Sequence, residues 1–260
     1  MADKARFEGD GDVGIVTLDS PPLNLFGDEL TRDIGVAFDE AEEAGVRALL
    51  LRADGKVFTG GADVHVFEGR TPAEASQDTL NPLTRLVQRL EEMPFPTLSS
   101  VHALCLTAGF ELSLGCDLIF AAESARFGLV ERVVGLTPGA GGTQRVAERA
   151  GPARAREFVM SGDLYDAATL ERWNVINRVL PDDELREESL RFARTLAEGP
   201  TLAHAATKRM VRAFLEHGVR GADERIGEIA GSLFGTEDLQ NAVKSFLEHG
   251  GPGHARFHGR

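Results

Sequence analysis

Short apolar runs and longer amphipathic segments alternate along the first half of the chain. Residues 13–18 (VGIVTL) and 46–53 (VRALLLRA) are apolar runs of strand length, rich in valine or leucine. Residues 29–44 and 83–93 instead place apolar side chains three or four positions apart, the spacing of an amphipathic helix. Strands separated by helical segments predict an α/β fold with crossover connections.

The most apolar part of the chain lies near its centre. Residues 96–106 (PTLSSVHALCL) are typical of a further strand, and residues 109–120 (GFELSLGCDLIF) predict a helix that runs on to residue 122. This stretch contains both cysteines, Cys105 and Cys116, which we expect to be buried reduced thiols and not a disulfide framework.

The second half of the chain is mostly helical by the same criteria, apart from one short strand at residues 175–180. No linker, repeat or low-complexity tract interrupts it. We therefore predict a core over residues 1–200 and a helical C-terminal region over residues 201–260. The apolar faces of the helices after Thr201 need a partner, which favours oligomerisation. The predicted helices cover residues 152–162, 166–174, 182–198, 202–218 and 238–250.

The charge balance restricts the partners of this protein. Its 260 residues include 28 basic and 41 acidic side chains, a net charge of −13. Nucleic acids and anionic membranes reward a basic surface, so neither is predicted as a partner. The N-terminus lacks a basic segment followed by an apolar one, and a cytoplasmic location is the expectation.

Three glycine-containing stretches could present backbone N–H groups to a ligand. They are residues 58–63 (FTGGAD), 106–111 (LTAGFE) and 135–145 (GLTPGAGGTQR). Two such donors from separate loops can form an oxyanion hole, which stabilises a carbonyl oxygen as it gains charge. Each stretch alone is more typical of a tight turn, and none has the pattern of a P-loop or a dinucleotide-binding turn.

Two glutamates lie among apolar residues, Glu111 in the central stretch and Glu131 in FGLVERVVG. Each alone is more often a glutamate on a helix surface or at a cap. Held together in a dry cleft, however, two carboxyl groups can have protonation states set by burial and by each other, as acid and base catalysis requires.

The combination of these stretches, in this order and separation, resembles the crotonase family of enoyl-CoA hydratases and isomerases. FTGGAD, LTAGFELSLGCDLIFA and ARFGLVERVVGLTPGAGGTQRV carry the resemblance, which extends to VGIVTLDSPPLNLF and to VMSGDLYDAATLERWNVINRVL. It implies a spiral of ββα units with an acyl-CoA site in the core. It also implies that the helical C-terminal region packs between subunits of a trimer or hexamer.

The resemblance also implies specific site residues. The N–H groups of Ala62 and Ala108 would form the oxyanion hole for the thioester carbonyl. Glu111 and Glu131 match the two catalytic glutamates, which in hydratases hold a water over the enoyl double bond. Further implied contacts are a CoA-binding side at Ala62, Asp63, Val64 and His65, pantetheine contacts at Leu23 and Leu25, and a pocket floor from Gly139 to Gly142.

Lys56 and Lys208 are our candidates for the CoA phosphates, because so acidic a protein needs local cations to bind this anion. A solvated surface charge is the commoner role of any single lysine. Coenzyme A enters as part of the substrate, and no separate cofactor is predicted. No metal is predicted either, since no metal-ligand spacing links the histidines to other donors.

The expected reaction is hydration of a 2-enoyl-CoA to a 3-hydroxyacyl-CoA. An isomerase, or another reaction through a thioester enolate, is the alternative; a non-catalytic acyl-CoA-binding subunit is the third. Where many family members have three glycines before the first glutamate, this chain has Thr107, Ala108 and Gly109. The added β-carbons crowd the site, which bears on substrate identity more than on reaction type.

Overall fold

The strands form two sheets in the computed structural model, which describes residues 3–72 and 82–260. A six-stranded sheet has the order β1-β2-β3-β4-β6-β9, and a three-stranded sheet has the order β5-β7-β8. Two pairs, β1 with β2 and β7 with β8, are antiparallel, and the other pairs are parallel. The strands are β1 Ala5–Asp10, β2 Val13–Leu18, β3 Ala48–Ala53, β4 Thr97–Val101, β5 Leu104–Leu106, β6 Leu118–Ala122, β7 Arg126–Gly128, β8 Tyr165–Asp166 and β9 Arg178–Leu180.

Helices connect these strands and cover the sheets. We number the described α-helices α1 Asp28–Glu43, α2 Pro82–Glu92, α3 Thr107–Leu114, α4 Gly142–Ala150, α5 Pro152–Ser161, α6 Ala167–Arg172, α7 Leu185–Ala197, α8 Thr201–Asp223, α9 Ile226–Ile229 and α10 Glu237–His249. Short 3₁₀ helices span Val64–Phe67, Glu131–Val134 and Gly231–Gly235.

The chain advances by alternating between the two sheets. After β4 in the large sheet it forms β5 in the small sheet and then α3; after β6 it forms β7 and, later, α4. Strand order in each sheet therefore follows sequence order, which is the arrangement of a spiral of ββα units. Every residue of β2 is buried: β1 and β3 pair with its two edges, and helices α1 and α7 pack against it. The predicted α/β fold is confirmed.

The single strand predicted over residues 96–106 is wrong. Two strands occupy this segment, β4 in the large sheet and β5 in the small one. Between them Ala103 has a left-handed backbone (φ +50°), which turns the chain from one sheet to the other. Continuous apolar character marks burial here, but it cannot show that the chain changes sheets.

The helix predicted over residues 109–122 is also wrong in its second half. Helix α3 ends at Leu114, and residues 118–122 form β6, which pairs with β4 in parallel. The Asp117 carboxylate accepts hydrogen bonds from the Thr97 N–H (2.8 Å) and hydroxyl (2.9 Å) and thereby fixes the start of β6 beside β4. All eight residues of α3 are buried, so no polar face marks where the helix stops.

The main hydrophobic core lies between the sheets and the helices and extends along the chain from Ala5 to Ala197. Both cysteines are buried free thiols, as predicted. A separate small cluster joins Ala206, Ala213, Ala222 and Ile229 in the C-terminal helices. The boundary near residue 200 stays a prediction.

A half-buried ion pair attaches α8 to the core. The Lys208 ammonium lies 2.9 Å from an Asp117 carboxylate oxygen and donates to the carbonyls of Leu90 and Phe95, each at 3.1 Å. Its side chain is only 13% exposed. These three partners use all the N–H donors of the ammonium group, which gives Lys208 a structural role. Its contact with the CoA phosphates stays a prediction.

We expect Lys208→Met to lower the free energy of unfolding by about 1–3 kcal/mol, because it leaves the half-buried Asp117 carboxylate and the two carbonyls without their cationic donor. A urea titration measures the loss. Lys244→Met is the matched control, since the Lys244 side chain is 73% exposed and its removal should change stability by less than about 0.5 kcal/mol. Equal losses in the two variants would contradict a structural role for Lys208.

Candidate active site

Three chain segments run side by side at one edge of the small sheet. The Thr59 N–H donates to the Leu104 carbonyl (3.0 Å), and the Leu106 N–H donates to the Thr59 carbonyl (3.2 Å). On the other side, β5 pairs with β7 in parallel. Parallel segments end at the same edge of a sheet, where ligands characteristically bind. The residues that follow them, which include Ala62, Ala108 and Glu131, are therefore brought to one place.

Helix α3 supplies one of the two expected oxyanion-hole donors. Ala108 is the second residue of α3, so its N–H lies in the first turn and has no acceptor within the helix. The positive end of the helix dipole adds to the attraction for a negatively charged oxygen at this point. The chemical setting suits an oxyanion, and Ala108 is buried (4% exposed).

The other expected donor is already hydrogen-bonded. The Ala62 N–H donates to the hydroxyl of Thr107 at 3.1 Å. Thr107, the first residue of α3, has a left-handed backbone with φ +41°, an uncommon conformation for a β-branched residue. Sequence reasoning treats this residue only as a source of crowding, and the structure shows it bonded to the predicted site.

Backbone amides hold the Glu111 carboxylate in place. Glu111 lies three residues after Ala108 on α3 and is 3% exposed. Its Oε1 accepts hydrogen bonds from the N–H groups of Ala140 (2.8 Å) and Gly142 (2.9 Å). Burial raises the pKa of Glu111, while these two amides oppose the rise because they favour the ionised form. A β-carbon at Gly142 would lie 3.0 Å from Glu111 Cγ, which explains the glycine.

A buried arginine holds the loop that carries these amides. The Arg145 guanidinium pairs with Glu91 (2.7 Å) and donates to the carbonyls of Ala140 (3.4 Å) and Gly141 (3.3 Å). Gly141 has φ +101°, and a β-carbon there would collide with the guanidinium. Sequence reasoning missed Arg145, although it belongs to the stretch GAGGTQR; nothing in one sequence pairs it with Glu91.

The second glutamate is less buried than Glu111 and has fewer stabilising partners. Glu131 begins the 3₁₀ helix Glu131–Val134, and both of its carboxylate oxygens are buried without a hydrogen-bond partner among the described residues. Burial, with a smaller contribution from the nearby charge of Glu111, raises the pKa of Glu131 to about 7. The two carboxyl groups therefore interact electrostatically, and near neutral pH the Glu131 carboxyl is available both with and without its proton.

Three of the six residues expected on the CoA side line a neighbouring cavity of about 380 Å³. Leu23, Leu25 and Asp63 belong to its lining, which includes neither glutamate. Leu23 and Leu25 lie against Gly60, where an added β-carbon would contact both side chains. The backbone pairing of Phe26 with Ala62 places this cavity next to the predicted oxyanion hole.

The remaining predicted contacts lie near the surface. The Asp63 carboxylate caps the 3₁₀ helix Val64–Phe67 and approaches the ring of His65 at 2.6 Å; the His65 side chain is 81% exposed. Val64 is 57% exposed. Lys56 is exposed on the loop before β-bridge residue Thr59. Contact of these residues with CoA stays a prediction.

Comparison with known proteins identifies the relationship. Residues 8–256 match the family model described as enoyl-CoA hydratase/isomerase. The chain belongs to this family. A crystal structure of an enoyl-CoA hydratase subunit I from Geobacillus kaustophilus superposes with a TM-score of 0.91 and 32% identity, covering 99% of this chain and 98% of that one. The architecture described above is thus the crotonase fold.

Two further members of the family resemble this chain in sequence to a similar degree. A Dictyostelium discoideum protein named "Probable enoyl-CoA hydratase, mitochondrial" is 32% identical over 93% of this chain and 87% of its own. The 2,3-dehydroadipyl-CoA hydratase of Escherichia coli is 30% identical over 80% of each chain. These relationships support a crotonase-type enoyl-CoA hydratase or isomerase with a CoA thioester substrate.

The part of the chain that the structure describes contains neither a metal-ion cluster nor a membrane-spanning helix. Within residues 3–72 and 82–260, no three His, Cys, Asp or Glu side chains are grouped so that they could hold a metal ion. No helix of the same ranges has the length and apolar character needed to cross a bilayer.

The raised pKa of Glu131 predicts a pH dependence of stability. The Glu131 carboxyl of the folded protein keeps its proton up to about pH 7, whereas an ordinary glutamate releases it near pH 4.5. The stabilisation that comes from the tighter binding of this proton is therefore complete below pH 4.5 and is lost as the pH rises through 7. Between pH 5 and pH 8 we expect the wild-type protein to lose about 1–2 kcal/mol more unfolding free energy than Glu131→Gln, after allowance for solvent screening. Urea titrations at both pH values measure this difference, and parallel curves for the two proteins would contradict the raised pKa.

Proposed function

We propose that this protein is an enoyl-CoA hydratase, which adds water across the double bond of a 2-enoyl-CoA to give a 3-hydroxyacyl-CoA. The observation that carries the proposal is the pair of buried, electrostatically coupled carboxyl groups beside the N-terminus of α3. An acid and a base that act on one water need two groups in different environments, and Glu111 and Glu131 have them.

Their environments support separate roles. Glu111 accepts two amide hydrogen bonds, which favour its ionised form and fix its orientation, so it suits the base that removes a proton from water. Glu131 has no such stabilisation among the described residues and a pKa of about 7, so it suits the acid. The water oxygen forms a bond to C3, the π electrons move towards the thioester as an enolate, and C2 takes the proton from Glu131.

Each turnover consumes one water molecule, and the protons gained and lost by the two glutamates are equal in number. Glu111 gains the proton that the water loses, and Glu131 gives up the proton that C2 gains. A proton must then return from Glu111 to Glu131 before the next turnover. The charge of Glu111 contributes to the raised pKa of Glu131, which supports a return of the proton between neighbouring carboxyl groups. If both act from one face of the double bond, the addition is syn.

The enolate-like charge needs hydrogen-bond donors at the thioester oxygen. The Ala108 N–H has no acceptor within the first turn of α3, which supports this role. Removing one such donor from an enzyme typically costs about 3 kcal/mol of transition-state stabilisation. The cavity beside Leu23 and Leu25 supports a position for the pantetheine arm. The acyl group then extends towards the two glutamates.

We also propose an oligomer, a trimer or a hexamer. Large apolar side chains are exposed in the C-terminal helical region, among them Val219 (63%), Phe234 (70%) and Leu247 (75%). Such exposure is typical of a surface that a second subunit covers. The cytoplasmic location stays a prediction.

Crotonyl-CoA tests the reaction. Hydration removes the ultraviolet absorbance of the conjugated thioester, and we expect the wild-type protein to do so. Glu111→Gln and Glu131→Gln should each lower kcat at least about 100-fold, because each removes a general acid or base. Glu123→Gln, at an exposed position after β6, is the matched control and should keep wild-type kcat.

The same assay separates the alternatives. An isomerase would generate the conjugated absorbance from a 3-enoyl-CoA, and a binding protein would change neither substrate. Wild-type turnover by both glutamine variants would show that these carboxyl groups do not perform the chemistry.

A further inference from the structure

The hydroxyl of Thr107 stands between the Ala62 amide and the site that this amide was expected to serve. Thr107 Oγ1 lies 3.1 Å from the Ala62 nitrogen and accepts its N–H. Thr107 is buried, at 9% exposure, and it precedes Ala108, the donor in the first turn of α3. The hydroxyl is therefore part of the same wall as the Ala108 amide.

The backbone at both residues is shaped to allow this contact. A β-carbon on Gly61 would lie only 2.2 Å from Thr107 Oγ1, so the hydroxyl occupies the space that any side chain at position 61 would need. Gly61 has φ +99° and Thr107 has φ +41°. These two left-handed residues, one in the loop before Ala62 and the other at the start of α3, bring the amide and the hydroxyl together.

A hydroxyl that accepts one hydrogen bond still has its own proton to donate. When the oxygen of a hydroxyl group accepts a hydrogen bond, its O–H bond becomes more polar. The hydrogen bond that this O–H donates is then stronger. An oxygen bound beside the Ala108 N–H would thus meet the Thr107 O–H where the Ala62 N–H would otherwise lie.

We propose that Thr107 is a catalytic residue of this enzyme: its hydroxyl accepts the Ala62 N–H and donates its own proton in a hydrogen bond to the thioester oxygen. The oxyanion hole then consists of the Thr107 hydroxyl and the Ala108 amide, with the Ala62 amide acting through Thr107. No bond to hydrogen is broken in this step, so the charge balance of the hydration is unchanged. The inference rests on the proposed binding of an acyl-CoA thioester at this site.

The thioester carbonyl itself can report the hydrogen bond. Butyryl-CoA is saturated and has no double bond to hydrate, and a ¹³C label at its thioester carbonyl isolates that stretching band in an infrared difference spectrum. Hydrogen bonding lowers the stretching frequency. We expect a lowered band when this probe is bound to the wild-type protein, a higher frequency in Thr107→Val, and a lowered band again in Thr107→Ser.

Valine is the decisive substitution because it keeps the shape and β-branching of threonine and removes only the hydroxyl. With crotonyl-CoA, kcat should fall about 100-fold in Thr107→Val while KM changes less than about threefold, since a bond to the developing oxyanion is strongest in the transition state. Thr107→Ser should recover most of kcat. Thr195→Val, at an exposed position on α7, is the matched control and should behave as the wild type. If Thr107→Val does not fold, Thr107→Cys replaces it, because the thiol is a weaker donor of similar size. We expect this variant to lose part of the downward shift of the carbonyl band and part of kcat.

The outcomes separate this inference from the proposed function. A thioester band at the same frequency in the wild type and in Thr107→Val, with equal kcat, would contradict the role of Thr107 and leave the hydratase proposal standing. A wild-type protein that binds butyryl-CoA with a lowered band but does not hydrate crotonyl-CoA would contradict the hydratase proposal alone. A wild-type protein that binds no acyl-CoA would overturn both.

Discussion

Two backbone amides that hold one buried carboxylate organise this site. The Ala140 and Gly142 N–H groups bind Glu111 Oε1, and this contact joins the middle of α3 to the start of α4 and the loop before it. A buried carboxylate without partners would have to keep its proton or expose itself, at a cost of several kcal/mol. The two amides keep the buried Glu111 carboxylate in one orientation. Arg145 in turn fixes the loop that carries these amides.

The environment of the Glu131 carboxyl differs from that of Glu111 in its hydrogen bonding and its pKa. Its oxygens are buried but receive no hydrogen bond from the described residues, and its pKa rises to about 7. One sheet edge thus holds an oriented carboxylate and a carboxyl that exchanges its proton near neutral pH. The proposed donors for the thioester oxygen come from the same edge, so the proposed binding and proton transfer would depend on one set of parallel strands.

Much of this was predictable from sequence where the pattern is local. Helix α1 follows from helical periodicity and strand β2 from a short apolar run. The two glutamates follow from the family resemblance, and their catalytic roles stay a prediction. The division of residues 96–106 between two sheets does not follow from a local pattern, because a single left-handed residue, Ala103, turns a continuously apolar run. The ion pair of Lys208 with Asp117 and the bond from Ala62 to Thr107 also join residues far apart in the chain, which no periodicity encodes.

A crystal structure with bound butyryl-CoA tests the central claim most directly, since it locates the acyl chain relative to both carboxyl groups. We predict that the thioester oxygen lies within hydrogen-bond distance of the Ala108 nitrogen and that C2 and C3 lie between Glu111 and Glu131. An acyl chain bound elsewhere, or glutamate carboxyl groups that face separate cavities, would contradict the account.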